Sequence, residues 1–200
     1  MASTTKRSYC PNCQRPQTTC LCDALVQLDC NYRLIILQDP GEAKHALSSA
    51  PILERSVRGA QLIVAETFDP EKLLGPDWLN HSLLVYPGEQ AISTQQASGQ
   101  AFKNLILLDG TWRKVTRMLH VNPWLQQLPC LAIDAQHASQ YKIRKSPRAD
   151  GLSTIEAAAY VLNELHGDQA FSPILKAFEK MIDLQIDAMG EATFHKNYKK

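Results

Sequence analysis

The chain has 200 residues, 44% of them hydrophobic, and its 21 basic and 20 acidic side chains leave a formal charge of +1. That is enough apolar material for one full core and a small satellite, and the balanced charge excludes a protein whose whole surface is built to bind polyanions. No apolar run approaches the roughly 18 residues of a membrane span, and Met1 to Tyr9 lacks the apolar centre of a signal peptide, so a soluble, cytoplasmic protein is expected.

The first 23 residues are rich in Cys, Pro, Gln and Thr and too poor in aliphatic side chains to form a core. Disulfides are rare in a reducing cytosol, so the cysteines point to metal or redox chemistry. Cys10-Pro-Asn-Cys13 and Cys20-Leu-Cys22 form two close doublets, the pattern of a tetrahedral zinc site. A single redox pair at Cys10 and Cys13 would leave the second doublet without a purpose. We read residues 1–30 as a four-cysteine zinc module with a structural ion and residues 31–200 as a catalytic domain. Cys130, inside an apolar run, reads as a core thiol.

From Tyr32 the pattern changes to short apolar runs: Tyr32 to Leu37, Gln61 to Ala65, Ser82 to Tyr86, Asn104 to Leu108 and Cys130 to Ile133. They are continuous instead of alternating, as strands of a parallel sheet covered on both faces are. Helical patterns lie between and after them: Glu42 to Arg58 with Pro51 inside, Trp112 to His120, Ser153 to His166 and Ser172 to Met189. The class is therefore α/β, a parallel sheet with helices on both faces. Ser153 and Glu156 form a capping box and Gly167 a stop, while Ser172-Pro173 reads as a cap and first-turn proline for the last helix.

Three loops follow apolar strands at one edge of such a sheet, where ligands of open α/β folds bind. Tyr86-Pro87-Gly88-Glu89 is a tight turn. Leu108-Asp109-Gly110-Thr111-Trp112 ends a strand in a carboxylate, a hydroxyl and an indole as a helix begins; Asp109 is either functional or a cap for that helix. The segment from Tyr141 to Glu156 is a basic loop running into a capped helix, whose first amides, with the Ser153 and Thr154 hydroxyls, suit a carboxylate or phosphate. Arg113, Lys114 and Arg117, then Lys142, Arg144, Lys145 and Arg148, then the tail from His195 to Lys200, are local basic clusters; each is a solvated face or an RNA contact.

These residues together resemble one family. Asp109-Gly110-Thr111-Trp112 is similar to the Asp-x-Thr-Trp signature of the DTW-domain family, the tRNA-uridine aminocarboxypropyltransferases. The cysteine doublets, Trp112-Arg113-Lys114-x-x-Arg117-Met118, and the block from Arg144 and Arg148 to Leu152-Ser153-Thr154-x-Glu156-Ala157 match in the same order, over roughly residues 10 to 162. One departure stands out: the family often carries His-Pro-x-Glu after the first strand, where this chain reads Gln38-Asp39-Pro40-Gly41-Glu42.

The resemblance implies a SPOUT-like domain with a C-terminal trefoil knot that binds S-adenosylmethionine. It implies transfer of the 3-amino-3-carboxypropyl group of that co-substrate to N3 of a uridine in tRNA, releasing methylthioadenosine. Catalysis would fall to Asp109, Thr111 and Trp112. The cofactor would be held by Pro87, Gly88, Leu108, Asp109, Leu152, Ser153, Thr154 and Glu156, zinc by Cys10, Cys13, Cys20 and Cys22, and tRNA phosphates by Arg113, Arg117, Arg144 and Arg148. A carboxylate of ordinary pKa is a weak base for the N3 proton, so Asp109 either has a raised pKa or positions the base. The competing readings are an RNA methyltransferase of the same general fold and a non-catalytic zinc-containing RNA-binding protein.

Overall fold

A computed structural model describes residues 8–88, 91–132 and 152–198. Five strands, β1 (Arg33–Gln38), β2 (Gln61–Val64), β3 (Ser82–Val85), β4 (Asn104–Asp109) and β5 (Cys130–Leu131), form one parallel sheet in the order β2-β1-β4-β3-β5. Eight α-helices accompany them among the described residues: α1 (Ala50–Ser56), α2 (Pro70–Leu74), α3 (Trp78–His81), α4 (Thr94–Ser98), α5 (Trp112–Val121), α6 (Thr154–His166), α7 (Leu175–Met189) and α8 (Glu191–Tyr198). No described helix is long and apolar enough to cross a membrane.

The continuous apolar runs are explained by two cores. Leu34 and Ile36 of β1, with Leu83, Leu105 and Leu107, pack against Leu53 of α1, Ala97 of α4, Leu162 of α6 and Phe178 of α7. The intervening residues Ile35, Leu37, Leu84 and Ile106 face the other way, onto Met118 of α5 and onto Trp124, Leu125 and Leu128. Successive side chains of a strand point to opposite faces, so both must be apolar when both are covered. Asn122 ties the second layer down: its side chain donates to the carbonyls of Glu66 and Met118 and accepts from the amide of Phe68.

The structure corrects three sequence expectations. The helix anticipated over Glu42 to Arg58 is only α1, and the preceding residues turn after β1. Pro51 has no N–H and its ring opposes helix on its N-terminal side, so it sits in the first turn. Ser172 caps nothing: Ser172–Ile174 is a 3-10 turn, and the Ser172 hydroxyl donates to Gln169 and accepts from Asn163. Nor is the helix that follows the last, since α8 comes after Gly190. The Ser153–Glu156 capping box and the left-handed Gly167 stop of α6 are present.

The N-terminal segment lies against the first core. Leu21 is buried with it, Arg15 donates to the carbonyl of Ala46, and Leu28 bridges to Val57.

Candidate functional site

Strands β1 and β4 are adjacent and in register, which sets Gln38 directly beside Asp109 at their carboxyl ends. Both are buried, with 1% and 7% of their surface exposed. The Gln38 amide donates to Asp109 Oδ2 at 2.7 Å and to Ser48 Oγ at 2.9 Å. From the other side, the Thr154 hydroxyl at the start of α6 donates to Asp109 Oδ1. A buried carboxylate needs such partners, and these two come from parts of the chain far apart in sequence. Asp109 is not the helix cap: Thr111 occupies the cap position of α5, exposed and with no side-chain capping bond.

Gly110 lets this turn close. A Cβ there would lie 3.1 Å from Cβ of Lys114. Lys114 reaches back over the loop after β1, donating to Glu42 Oε1 at 2.7 Å and lying 3.5 Å from Asp39 Oδ1. The Glu42 hydrogen bond holds the Lys114 ammonium above its ordinary pKa. A Cβ on Gly41 would come within 2.9 Å of that same Nζ, and Asp39, which stands where the family pattern has histidine, is one of the two carboxylates that face this lysine.

The hydroxyls expected to meet an anion are already engaged. Ser153 Oγ and Ser153 N both donate to Glu156 Oε2, and Thr154 Oγ1 donates to Asp109. An anion at this helix start would therefore meet backbone amides. Trp112 is partly exposed, with its ring centroid 6.3 Å from that of Tyr86, which links the α5 start to the end of β3. Pro87 and Gly88 continue that strand end; Gly88 lies against the Cys130 side chain and its carbonyl accepts from Ala91. Leu108 and Leu152 are partly buried beside Asp109 and Ser153.

Arg113 and Arg117 are exposed and line a cavity of about 400 Å³ with Asp39, Gly41, Glu66 and Lys114; Arg117 is paired with Glu66 at 2.8 Å. Arg144 and Arg148 lie outside the described residues. Gln38, Ser48 and Lys114 carry the local geometry; Gln38 and Ser48 were given no role from sequence, and Lys114 was read only as part of a basic cluster. Only the register of β1 against β4 reveals Gln38.

The four cysteines converge. Their sulfurs all lie within 4.8 Å of one another, with Cys10 to Cys22 at 3.4 Å and Cys13 to Cys20 at 3.7 Å. A tetrahedral zinc with ligands at about 2.3 Å separates its sulfurs by about 3.8 Å, so the donor set fits that ion. The turn is shaped for it: the Cys10 amide donates to Arg15 O, the Gln14 amide to Cys10 O, and Gln14 adopts φ 59°. Backbone amides of Cys13 and Asn12 hold Cys10 down to about 6, while its bond to Cys10 pushes Cys22 up to about 12. Against the opposing effect of burial, the amides of Leu21 and Arg15 draw Cys13 down. At Cys10 and Cys13 these amides favour the thiolate, the form a metal binds.

A DTW domain matches residues 7–186. The chain belongs to the DTW-domain family. It is similar to a protein of Drosophila melanogaster named tRNA-uridine aminocarboxypropyltransferase 2, 29% identical over 171 residues that cover 78% of this chain and 66% of that protein. A Mus musculus protein of the same name is 26% identical, covering 96% of this chain and 68% of its own length. An Arabidopsis thaliana protein named tRNA-uridine aminocarboxypropyltransferase A is 25% identical, covering 90% and 81%. The chain thus spans about two thirds of the length of these animal relatives. No solved structure matches it.

Proposed function

We propose that this DTW-domain chain is a tRNA-uridine aminocarboxypropyltransferase: it moves the 3-amino-3-carboxypropyl group of S-adenosylmethionine to N3 of a uridine in tRNA. The observation that carries the reading is the buried Asp109, aimed by Gln38 and Thr154 at the carboxyl end of a central strand. The names of the relatives support the substrate and the group transferred.

In this reading the N3–H bond breaks and its electron pair attacks the γ-carbon of the amino-acid arm. The carbon–sulfur bond cleaves and methylthioadenosine leaves with that electron pair. The sulfonium supplies the leaving group, so the protein's work is alignment of the arm's carbon instead of the methyl. Asp109 holds the uracil edge and receives the N3 proton; Thr154 and Gln38 keep its carboxylate from turning away. Thr111, exposed at the α5 cap, offers a hydroxyl to the substrate, and Trp112, partly exposed, stacks on the base. The amides at the start of α6 take the carboxylate of the arm, with Ser153 and Glu156 fixing that turn, while Pro87, Gly88, Leu108 and Leu152 cradle the adenosine. Arg113, Arg117, Arg144 and Arg148 meet tRNA phosphates without reading sequence.

The four cysteines would hold a structural zinc, since four thiolates leave no open position for chemistry. Residues 1–30 form the zinc unit and 31–200 the catalytic domain of this cytoplasmic enzyme. The insertion of β4 between β1 and β3 in a parallel sheet supports a SPOUT-like fold, and the C-terminal trefoil knot is what the family resemblance implies for it.

Unmodified tRNA and S-adenosylmethionine labelled on either the carboxyl or the methyl carbon test this reading. Carboxyl label alone in tRNA is the expected result. Methyl label alone would make the protein a methyltransferase, and binding of tRNA with neither label transferred would make it a non-catalytic module.

A further inference from the structure

A second concavity, of about 670 Å³, opens between the cysteine segment and the turns after β1; its walls include Cys13, Arg15, Lys44, His45, Ser48 and Arg55. Among the described residues, no carboxylate lines it. In a chain of 21 basic and 20 acidic residues this is a local excess of positive charge. Glu54 offsets Arg55 at 3.5 Å, but among the described residues Arg15 and Lys44 enter no ion pair.

The cations divide into two kinds. Arg15 and Arg55 stitch the walls together, Arg15 donating to the carbonyl of Ala46 and Arg55 to that of Asn12, between two cysteines. They form a fixed positive floor. Lys44 and His45 are exposed at the rim. The His45 Nδ1 accepts from the Leu47 amide, which leaves Nε2 as the ring nitrogen that donates outward.

Ser48 connects this groove to the reaction centre. It lines the groove and accepts from the Gln38 amide, whose other N–H is given to Asp109. One buried side chain thus separates the groove wall from the carboxylate.

We infer that the groove holds RNA phosphodiester backbone beside the target uridine, with Lys44 and His45 meeting phosphates over the floor made by Arg15 and Arg55. The inference rests on the proposed tRNA chemistry and gives the cysteine segment a substrate-binding role as one wall of the groove. A phosphodiester strand carries one negative charge per nucleotide and is tracked by cations without sequence reading. A groove with cations in its floor and rim, no carboxylate among its described lining residues, and a wall one buried side chain away from Asp109 meets that need.

The test uses the full, zinc-loaded chain, unmodified tRNA, and the Lys44→Ala, Lys44→Glu and His45→Ala variants, whose exposed positions leave the core untouched. Lys44→Ala lowers the slope of log affinity against log salt by about one, and Lys44→Glu weakens tRNA binding at low salt by about tenfold. His45→Ala weakens it less. S-adenosylmethionine affinity and melting temperature stay at wild-type values. Wild-type affinity and salt slope in Lys44→Glu, with wild-type transfer intact, would overturn the groove alone. If the wild type binds tRNA without transferring the carboxyl label and Lys44→Glu still weakens that binding, the groove stands and the transferase reading falls. Absence of tRNA binding by the wild type at low salt would overturn both.

Discussion

Around Asp109, order comes from segments far apart in sequence: Gln38 lies 71 residues away and Thr154 lies 45, and both reach the carboxylate through the packed ends of strands and a helix. Around Cys10 it comes from ligands crowded between residues 10 and 22, with little apolar material to hold them. The first region is a product of the hydrophobic core, since its register is fixed by β1 and β4 buried on both faces. The second is a set of four sulfurs that a metal ion could hold together. One chain therefore carries a site that folding alone creates and a segment that folding alone leaves weakly held.

The largest effect separates these regions by removing metal. Chelation, or Cys13→Ser, should release a bound zinc and expose the amides of residues 8–22 to hydrogen exchange, while those of β1, β3 and β4 stay protected. Structural zinc sites contribute on the order of 10 kcal/mol to their local fold. Unchanged protection of residues 8–22 after complete chelation would mean that their contacts with the core suffice, and the contrast would disappear.

A smaller effect probes the other region. Gln38→Leu leaves Asp109 Oδ2 and Ser48 Oγ without their shared donor in a buried place, which should cost about 1–3 kcal/mol in thermal or denaturant unfolding. The turnover number should fall by more than KM for either substrate rises, because an unaimed carboxylate harms the chemical step. A wild-type turnover number with the stability loss alone would reduce Gln38 to a structural residue. Smallest is Ser153→Ala: it removes the capping box of α6 and should cost about 1 kcal/mol, read as a modest drop in melting temperature. A larger loss would show that the α6 start is held by more than its own cap.

The same contrast explains what could be read from the sequence. The strands were legible to within a few residues, because double burial leaves an unbroken apolar run. The cysteine site was legible because its ligands are neighbours. Asp109 and Thr154 were legible as motif residues, but their direct bond was not, and Gln38 was read only as part of a departure from the family pattern. Its partner is set by parallel register, a relation between strands that periodicity along one of them does not contain. The short helices α2 and α4 were missed although Asp69 accepts from the amides of Glu71 and Lys72, and Ser93 and Gln96 form a capping box. Their cap signals are strong, but their apolar faces are too short to show a period.

The most direct test of the account is the single-turnover transfer rate of Asp109→Asn with carboxyl-labelled S-adenosylmethionine and saturating tRNA, alongside affinity for both. Asparagine keeps the shape of the side chain and can still accept from Thr154, but it offers the substrate no anionic oxygen. The account predicts a rate reduced about 100-fold or more with both affinities near wild type. A wild-type rate under those conditions would contradict it and remove the reaction from the Asp109 junction.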